Sequence, residues 1–367
     1  MANKNLSNAR NEKKDEFYTQ YYDIEREVQA YLDYNPDVFK GKTVFCNCDD
    51  PYESNFFKYF ASNFNLLGLK KLIVTCYDGS PVQGNELLLD FGDITQDEPK
   101  KIAHKLVITE VLDLNGDGAI DLTDVQELIK NDKNVLSLLK GNGDFRSAEC
   151  VELLKESDIV VTNPPFSLFR EYIAQLVEYN KKFLIIGNVN AITYKEIFPL
   201  IRDNKIWLGP SITSGDRKFY VPDDYELKAA GCGIENGRKF IRVKGVRWFT
   251  NLEHNKRHQP LTLMTIEDNL RYSKHKEIKG KTVYDCYDNY DAIEVPYTDA
   301  IPNDYEGVMG VPITFLDKYC PEQFEIIDIN PHFYAIVEQG KEKPRQLTLK
   351  NANKKAPYAR ILIRKKQ

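Results

Sequence analysis

Ser157-Asp-Ile-Val-Val-Thr-Asn-Pro-Pro-Phe-Ser-Leu-Phe-Arg-Glu-Tyr172 is the stretch that decides the fold. It holds an apolar run from Asp158 to Thr162, the tetrapeptide Asn163-Pro164-Pro165-Phe166, and a helix-forming segment from Ser167 to Leu176. A short apolar strand with one acidic residue before it and a helix after it belongs to a parallel sheet. The loop between them then lies at the strand's carboxyl end, where open α/β folds bind their ligands.

Outward from this stretch the pattern repeats. Lys42 to Asn47 reads as a strand, Ser54 to Ala61 as a helix and Lys71 to Cys76 as the next strand. Downstream, Lys182 to Gly187 is a strand, Tyr194 to Ile201 a helix and Lys205 to Gly209 a strand. Alternation of strand and helix implies a Rossmann-like, mostly parallel, doubly wound α/β sheet. After about Pro210 the pattern changes to short aromatic-rich strands between Gly and Asp turns, such as Arg217 to Pro222 and Phe240 to Phe249. The expected organisation is therefore a first domain over 1–210, with an acidic insertion at about 79–140, and a more irregular α+β region over 211–367.

The chain has 367 residues, 42% of them apolar, enough to bury a large core in two units. No apolar stretch approaches bilayer-spanning length, and the start, Met1-Ala-Asn-Lys-Asn-Leu, is polar, so a cytoplasmic protein with no membrane partner is expected. The seven cysteines form no Cys-x-x-Cys pair, which suggests neither a disulfide framework nor a zinc site. The net charge of −5 is unevenly spread. Twelve acidic and five basic residues between Glu86 and Lys133 give a local −7, so the remainder sums to +2. From Glu235 to Lys281 there are twelve Lys/Arg against five Asp/Glu, and from Lys341 to the end ten against one. Such stretches are candidates for phosphate contact, among them Arg238, Lys239, Arg242, Arg247, Lys256 and Arg257, with a solvated basic face or tail as the plainer alternative.

The tetrapeptide has a chemistry of its own. The side-chain amide oxygen of Asn163 and the carbonyl of Pro164 can both accept hydrogen bonds from one NH2 group. Two prolines without N–H groups fix φ and keep those acceptors aimed. Phe166 offers a face for a base, and base–aromatic stacking is worth roughly 1–3 kcal/mol. This is how amino-methyltransferases hold an exocyclic amine, and Asn163, Pro164, Pro165 and Phe166 are the expected catalytic residues. An Asn-Pro turn closing a buried strand is the plainer alternative.

Candidates for a methyl donor's site precede the tetrapeptide. Tyr18 and Thr19 lie just before the first strand, and Asn47, Asp49 and Asp50 follow it into a helix whose positive end can meet a carboxylate. Tyr77, beyond the second strand, can face a ribose or adenine. Asp144 and Phe145, in Gly143-Asp-Phe-Arg-Ser147, stand ready for the donor's adenine. Ordinary turn chemistry explains each residue singly, and their order along the chain favours the functional reading.

These segments resemble the EcoRI-type adenine-specific DNA methyltransferases. The resemblance is carried by Asp15 to Gln20, Phe45 to Pro51, Ser54 to Ala61, Leu67 to Ile73, Gly143 to Ser147, Ser157 to Tyr172, Asn188 to Asn190 and Gly307 to Pro312. It is nearly unbroken from about residue 4 to 210, returns from Tyr287 to Phe324, and closes at Tyr358 to Ile363. It implies transfer of a methyl group from S-adenosylmethionine to N6 of adenine in a short double-stranded DNA sequence, by a monomer that flips the base out of the stack. It also implies either a separately encoded restriction endonuclease as partner or a solitary methylase. The glycine-rich first loop of the wider superfamily is replaced by Asn47 to Pro51. Methylation of another planar NH2, on RNA or on a protein glutamine amide, is the alternative that the tetrapeptide's chemistry leaves open.

Residues about 79 to 140 and 212 to 286 stand outside that resemblance, and the first of these stretches has a chemistry of its own. In Asp113-Leu-Asn-Gly-Asp-Gly-Ala-Ile-Asp-Leu-Thr-Asp124, oxygen side chains recur at loop positions one, three, five, nine and twelve, with glycine at six. Asp113, Asn115, Asp117, Asp121 and Asp124 thus match a Ca2+ loop of the EF-hand kind, although position twelve is Asp and no second loop accompanies it. An acidic, well-capped surface turn would read the same way.

Overall fold

The computed structural model describes residues 19–47, 54–77, 103–114, 123–124, 127–128, 136–221, 225, 227, 231–340, 346–350, 354–355 and 358–367. The chain forms two compact units. One comprises Met1–Val189 with Ser214–Leu252, the other Asn190–Thr213 with Glu253–Gln367. The units therefore do not follow a single cut near residue 210. Residues 214–252 return to the first unit.

The first unit is built on α1 (Tyr21–Leu32), β1 (Thr43–Asn47), α2 (Asn55–Ser62), β2 (Lys71–Thr75), β3 (His104–Ile108), β4 (Leu136–Leu138), α3 (Ala148–Glu156), β5 (Ile159–Thr162), α4 (Phe169–Glu178) and β6 (Lys182–Asn188). Its sheet runs β4-β3-β2-β1-β5-β6 and continues to β11, described below. The centre is parallel: β1 pairs with β2 and with β5, and β5 with β6. β1 and β5 are buried along their whole length, as mostly apolar strands covered on both faces are. Because β2 lies on one side of β1 and β5 on the other, the strand order reverses between β1 and β5, and the carboxyl ends of these strands are the switch point at which open α/β folds bind ligands.

The expected doubly wound α/β sheet is thus present, with antiparallel additions. β3 runs against β2, and its alternating burial marks a strand with one covered face. α5 (Phe198–Arg202) and β7 (Trp207–Leu208) belong to the second unit. The helix expected over 194–201 is shorter than its pattern suggested, because Pro199, tolerated only in the first turn, fixes where it starts.

β8 (Asp216–Tyr220), β9 (Gly233–Glu235) and β10 (Arg238–Lys244) make a three-stranded antiparallel ribbon, and β11 (Val246–Thr250) joins the main sheet antiparallel to β6. The run from Phe240 to Phe249 reads as one strand but is two. Gly245, at φ 71°, breaks it where the chain passes Val189, and a Cβ there would lie 2.8 Å from that side chain. In the second unit α6 (Ile266–Tyr272) precedes a sheet ordered β12-β13-β17-β14, formed by β12 (Ile293–Glu294), β13 (Met309–Pro312), β14 (Phe324–Asn330) and β17 (Arg360–Lys365). α7 (Tyr334–Glu338) and the pair β15 (Thr348–Leu349) and β16 (Lys354–Lys355) complete it. No helix among the described residues is long and apolar enough to cross a membrane.

Candidate active site

The loop Asn163 to Phe166 leaves β5 at the switch point between β1 and β5. Asn163 is 6% exposed, with its Oδ1 shielded from solvent, and Pro164 and Pro165 are buried. Phe166 is half-buried and begins a 3-10 turn, Phe166–Leu168, closed by a 2.9 Å bond from the Leu168 N–H to the Pro165 carbonyl. α4 follows without a break. Its first residue, Phe169, packs edge-on against Phe249 of β11, ring centres 5.0 Å apart, over Gly187 of β6. A Cβ at Gly187 would lie 2.5 Å from the Phe169 ring, so glycine is what lets the helix sit this close to the sheet.

The strand ends around the switch point are cross-tied. The Thr162 hydroxyl donates to the Asn47 carbonyl, and the Thr75 hydroxyl donates to Asn47 Oδ1 at 3.0 Å. Asn47 is 2% exposed, so its carbonyl groups brace the ends of β2, β1 and β5. That bracing role was not legible in the sequence. Thr162 and Thr75 are each the polar residue ending an apolar run, and that is the signal that could have found them.

Thr19 is tied to the start of α2, whose N-cap Ser54 accepts from the N–H groups of Phe56 and Phe57. Asn55 Nδ2 donates to the Thr19 carbonyl at 2.6 Å. The segment before the first strand thus meets the helix after it. Thr19 Oγ1 is buried without a hydrogen-bond partner among the described residues, which suits a site waiting for a polar ligand atom. Tyr77 is half-buried just beyond β2. Tyr18, Asp49 and Asp50 lie outside the described residues.

The Gly143 to Ser147 loop packs on the end of β2. Gly143 approaches the Cys76 carbonyl so closely that a Cβ would fall 2.2 Å from its oxygen. Asp144 is more engaged than expected: Arg146 donates to it through its backbone N–H at 2.8 Å, Nε at 2.9 Å and Nη2 at 2.7 Å. Arg146 Nη1 also reaches Glu171 of α4 at 2.8 Å, linking this loop to the helix behind the tetrapeptide. These partners, Asp144 first, raise the Arg146 guanidinium above its ordinary pKa. Phe145 is 3% exposed and turns inward against Tyr172, ring centres 5.0 Å apart. Its ring belongs to the core beneath the loop. Cys76 Sγ lies 2.9 Å from His104 Nδ1, a buried pair that the sequence reading missed. His104 sits in the acidic stretch with little apolar context.

The six basic residues separate into two groups. Arg238 and Arg242 are exposed on β10. Arg247 is 5% exposed within β11 and donates to the Val246 carbonyl, and Lys239 Nζ donates to the Tyr225 carbonyl at 2.9 Å. In the second unit Arg257 is 6% exposed, 3.9 Å above the Trp207 ring, with Asn204 and Glu253 as partners. Lys256 Nζ donates to the Pro210 carbonyl. Arg247 and Arg257 are therefore structural, because each buried guanidinium is held by groups of its own unit.

Of the acidic loop, Asn115, Asp117 and Asp121 lie outside the described residues. Asp113 is exposed, and Asp124 is fully buried, accepting from the Leu114 N–H at 2.8 Å, so the two ends of the loop are drawn together. Among the described residues no cluster of His, Cys, Asp and Glu could hold a metal.

Comparison with known proteins follows the same lines. A family profile described as "Adenine-specific methyltransferase EcoRI" matches residues 5–366. The Type II methyltransferase M.EcoRI of Escherichia coli is 47% identical over 367 residues, covering 100% of this chain and 98% of that protein. M.MpnI of Mycoplasma pneumoniae is 36% identical, covering 99% and 98%, and M.MgeORF184P of Mycoplasma genitalium is 36% identical, covering 99% of both. Both are likewise named Type II methyltransferases. No solved structure matches the chain.

Proposed function

The chain belongs to the EcoRI family of adenine-specific methyltransferases and uses S-adenosylmethionine, and we propose that the Asn163–Phe166 loop receives a flipped-out adenine of duplex DNA and presents its N6 for methylation. The carrying observation is the loop itself: a buried amide oxygen and an aromatic side chain on adjoining turns, at the carboxyl end of the strand beside the switch point.

The adenine amine is a weak nucleophile because its lone pair is shared with the ring. Acceptors at Asn163 Oδ1 and the Pro164 carbonyl draw the NH2 towards tetrahedral geometry and localise that lone pair. Phe166 stacks on the base and offsets part of the unstacking cost, a few kcal/mol. The proton leaves N6 after transfer, so no general base is required of the loop. S-adenosylmethionine, when bound, supplies an electrophilic methyl group. Thr19, Asn47, Tyr77 and Asp144 are the described residues that would hold it, with Tyr18, Asp49 and Asp50 alongside. The orphaned Thr19 hydroxyl supports that assignment.

This reading makes the protein a cytoplasmic monomer, working either beside a separate restriction endonuclease or alone. Ca2+ binding by Asp113 to Asp124 rests on the spacing of oxygen side chains, and a Ca2+-dependent rise in melting temperature would test it. The principal experiment is transfer of labelled methyl from S-adenosylmethionine to unmethylated genomic DNA, with N6-methyladenine located in its sequence context. One methylated motif supports the reading. Label on RNA or protein with none on DNA overturns it.

A further inference from the structure

The ribbon β8-β10-β9 takes no part in the chemistry above, yet its two faces differ sharply. Phe219, Val221, Ile241 and Val243 are at most 4% exposed and form its covered side. On β10 the alternate residues Arg238, Phe240, Arg242 and Lys244 share the other side, with Arg238, Arg242 and Lys244 exposed. Cross-strand register puts Lys218 opposite Arg242 and Tyr220 opposite Phe240. Lys218 lies 4.9 Å above the Phe240 ring, and the Arg238 guanidinium 4.8 Å above Tyr220. The outer side of an antiparallel sheet needs only polar residues, and like charges opposite one another are unfavourable. Arg238 lies opposite Glu235 and Lys244 opposite Asp216, whereas Lys218 facing Arg242 is a like-charge pair that sheet pairing alone does not favour. Lys218 bonds Glu235, and the outer face carries four cations (Lys218, Arg238, Arg242 and Lys244) against two carboxylates (Asp216 and Glu235), so it remains positive.

The position of this face matters as much as its sign. Asn188 ends β6, and its Nδ2 donates to the Lys244 carbonyl at 3.0 Å, while the Val189 N–H donates to the Gly245 carbonyl. β6 runs parallel to β5 with Ile185 beside Thr162, so the ribbon leaves the sheet at the same edge as the Asn163 loop. Between Thr162 and β11 lie two strand spacings, about 10 Å. At about 3.3 Å per residue, β10 spans about 20 Å from that junction, the length of about six base pairs.

We propose that the outer face of β10, through Arg238, Arg242 and Lys244, grips the phosphates of the duplex flanking the extruded adenine and sets the DNA's position over the catalytic loop. This rests on the adenine-methylating reading above. These residues position the substrate and leave the reacting atoms to Asn163 and its neighbours.

The test is the salt dependence of duplex binding by the full chain, with the triple variant Arg238→Gln/Arg242→Gln/Lys244→Gln, and with Arg242→Lys as the variant that keeps the charge. Three lost phosphate contacts lower the slope of log K against log salt by about 2.7, so the affinity lost between 50 and 200 mM salt shrinks about 40-fold. The triple variant keeps wild-type S-adenosylmethionine affinity, and Arg242→Lys keeps the wild-type slope. A wild-type slope in the triple variant overturns the proposal, as does an altered methylation motif with the slope unchanged, which would assign these residues to bases. If the wild type transfers no methyl to DNA, the functional reading falls instead.

Discussion

Gly143→Ala should injure donor binding far more than its size suggests. Gly143 stands at φ 77°, where alanine costs roughly 1–2 kcal/mol. The added Cβ would meet the Cys76 oxygen at 2.2 Å, the Cys76 carbonyl carbon at 3.0 Å and Ala103 Cβ at 3.1 Å. The obstacle is backbone at the end of β2, pinned by the Cys76 N–H bond to the His104 carbonyl, so the Asp144 loop must move by about 1 Å. We expect a total destabilisation of about 2–4 kcal/mol. A shift of that size in a positioning element costs on the order of 100-fold in the reaction it supports. Calorimetric titration of S-adenosylmethionine, beside thermal unfolding, reads both effects. Gly141→Ala is the internal control: nothing lies within 4 Å of its Cβ, so it should change stability by less than about 0.5 kcal/mol. Wild-type donor affinity in a folded Gly143→Ala protein would refute the placement of this loop at the donor site.

Asn163→Ala should lower methyl transfer by about 10²–10³-fold, the usual loss for one preorganised hydrogen-bonding group, while donor affinity stays near wild type; full activity would remove Asn163 from the mechanism. Gly187→Ala drives a methyl group into Phe169 and Phe249, and by displacing α4 it should reduce turnover together with a loss of about 1–3 kcal/mol in stability, checked by single-turnover rates and denaturant melts. Burial pushes the His254 imidazole down to about 4 from its ordinary 6.5. In its neutral form one ring nitrogen accepts from the Arg257 N–H and the other serves the Leu208 carbonyl. The folded state therefore binds the proton less readily than the unfolded one. The stability it protects is intact above pH 6.5 and lost as the pH falls towards 4, by about 3 kcal/mol. Unfolding free energies that decline just as steeply over this interval in His254→Asn would disprove the assignment.

The strand–turn–helix that carries Asn163 to Phe166 was legible because a short apolar run, bounded by Asp158 and Asn163 and followed by a helical segment, leaves few structural alternatives. The parallel centre followed from the same logic. β3 escaped notice because His104 to Ile108 shares its stretch with many carboxylates, although its alternation carries the strand signal. Arg247 looked like a DNA contact because sequence displays charge and not direction; only the pairing of β11 with β6 shows that all five residues of that strand are buried. The orientation of Phe145 was equally hidden. An aromatic beside a ligand loop can face the ligand or anchor the loop, and Tyr172, twenty-seven positions along, supplies the anchor.

The return of β11 to the main sheet has a bearing on how this molecule is made. During synthesis β6 emerges long before residues 246–250, and until they arrive its outer edge offers unpaired N–H and C=O groups. The first unit cannot close until the ribosome has gone some sixty residues past β6. A fragment ending near residue 210 would hold the Asn163–Phe166 loop and still lack a finished sheet, exposing an edge prone to self-association. Dissection of this enzyme into separately expressed halves should therefore keep residue 252 with the amino-terminal piece.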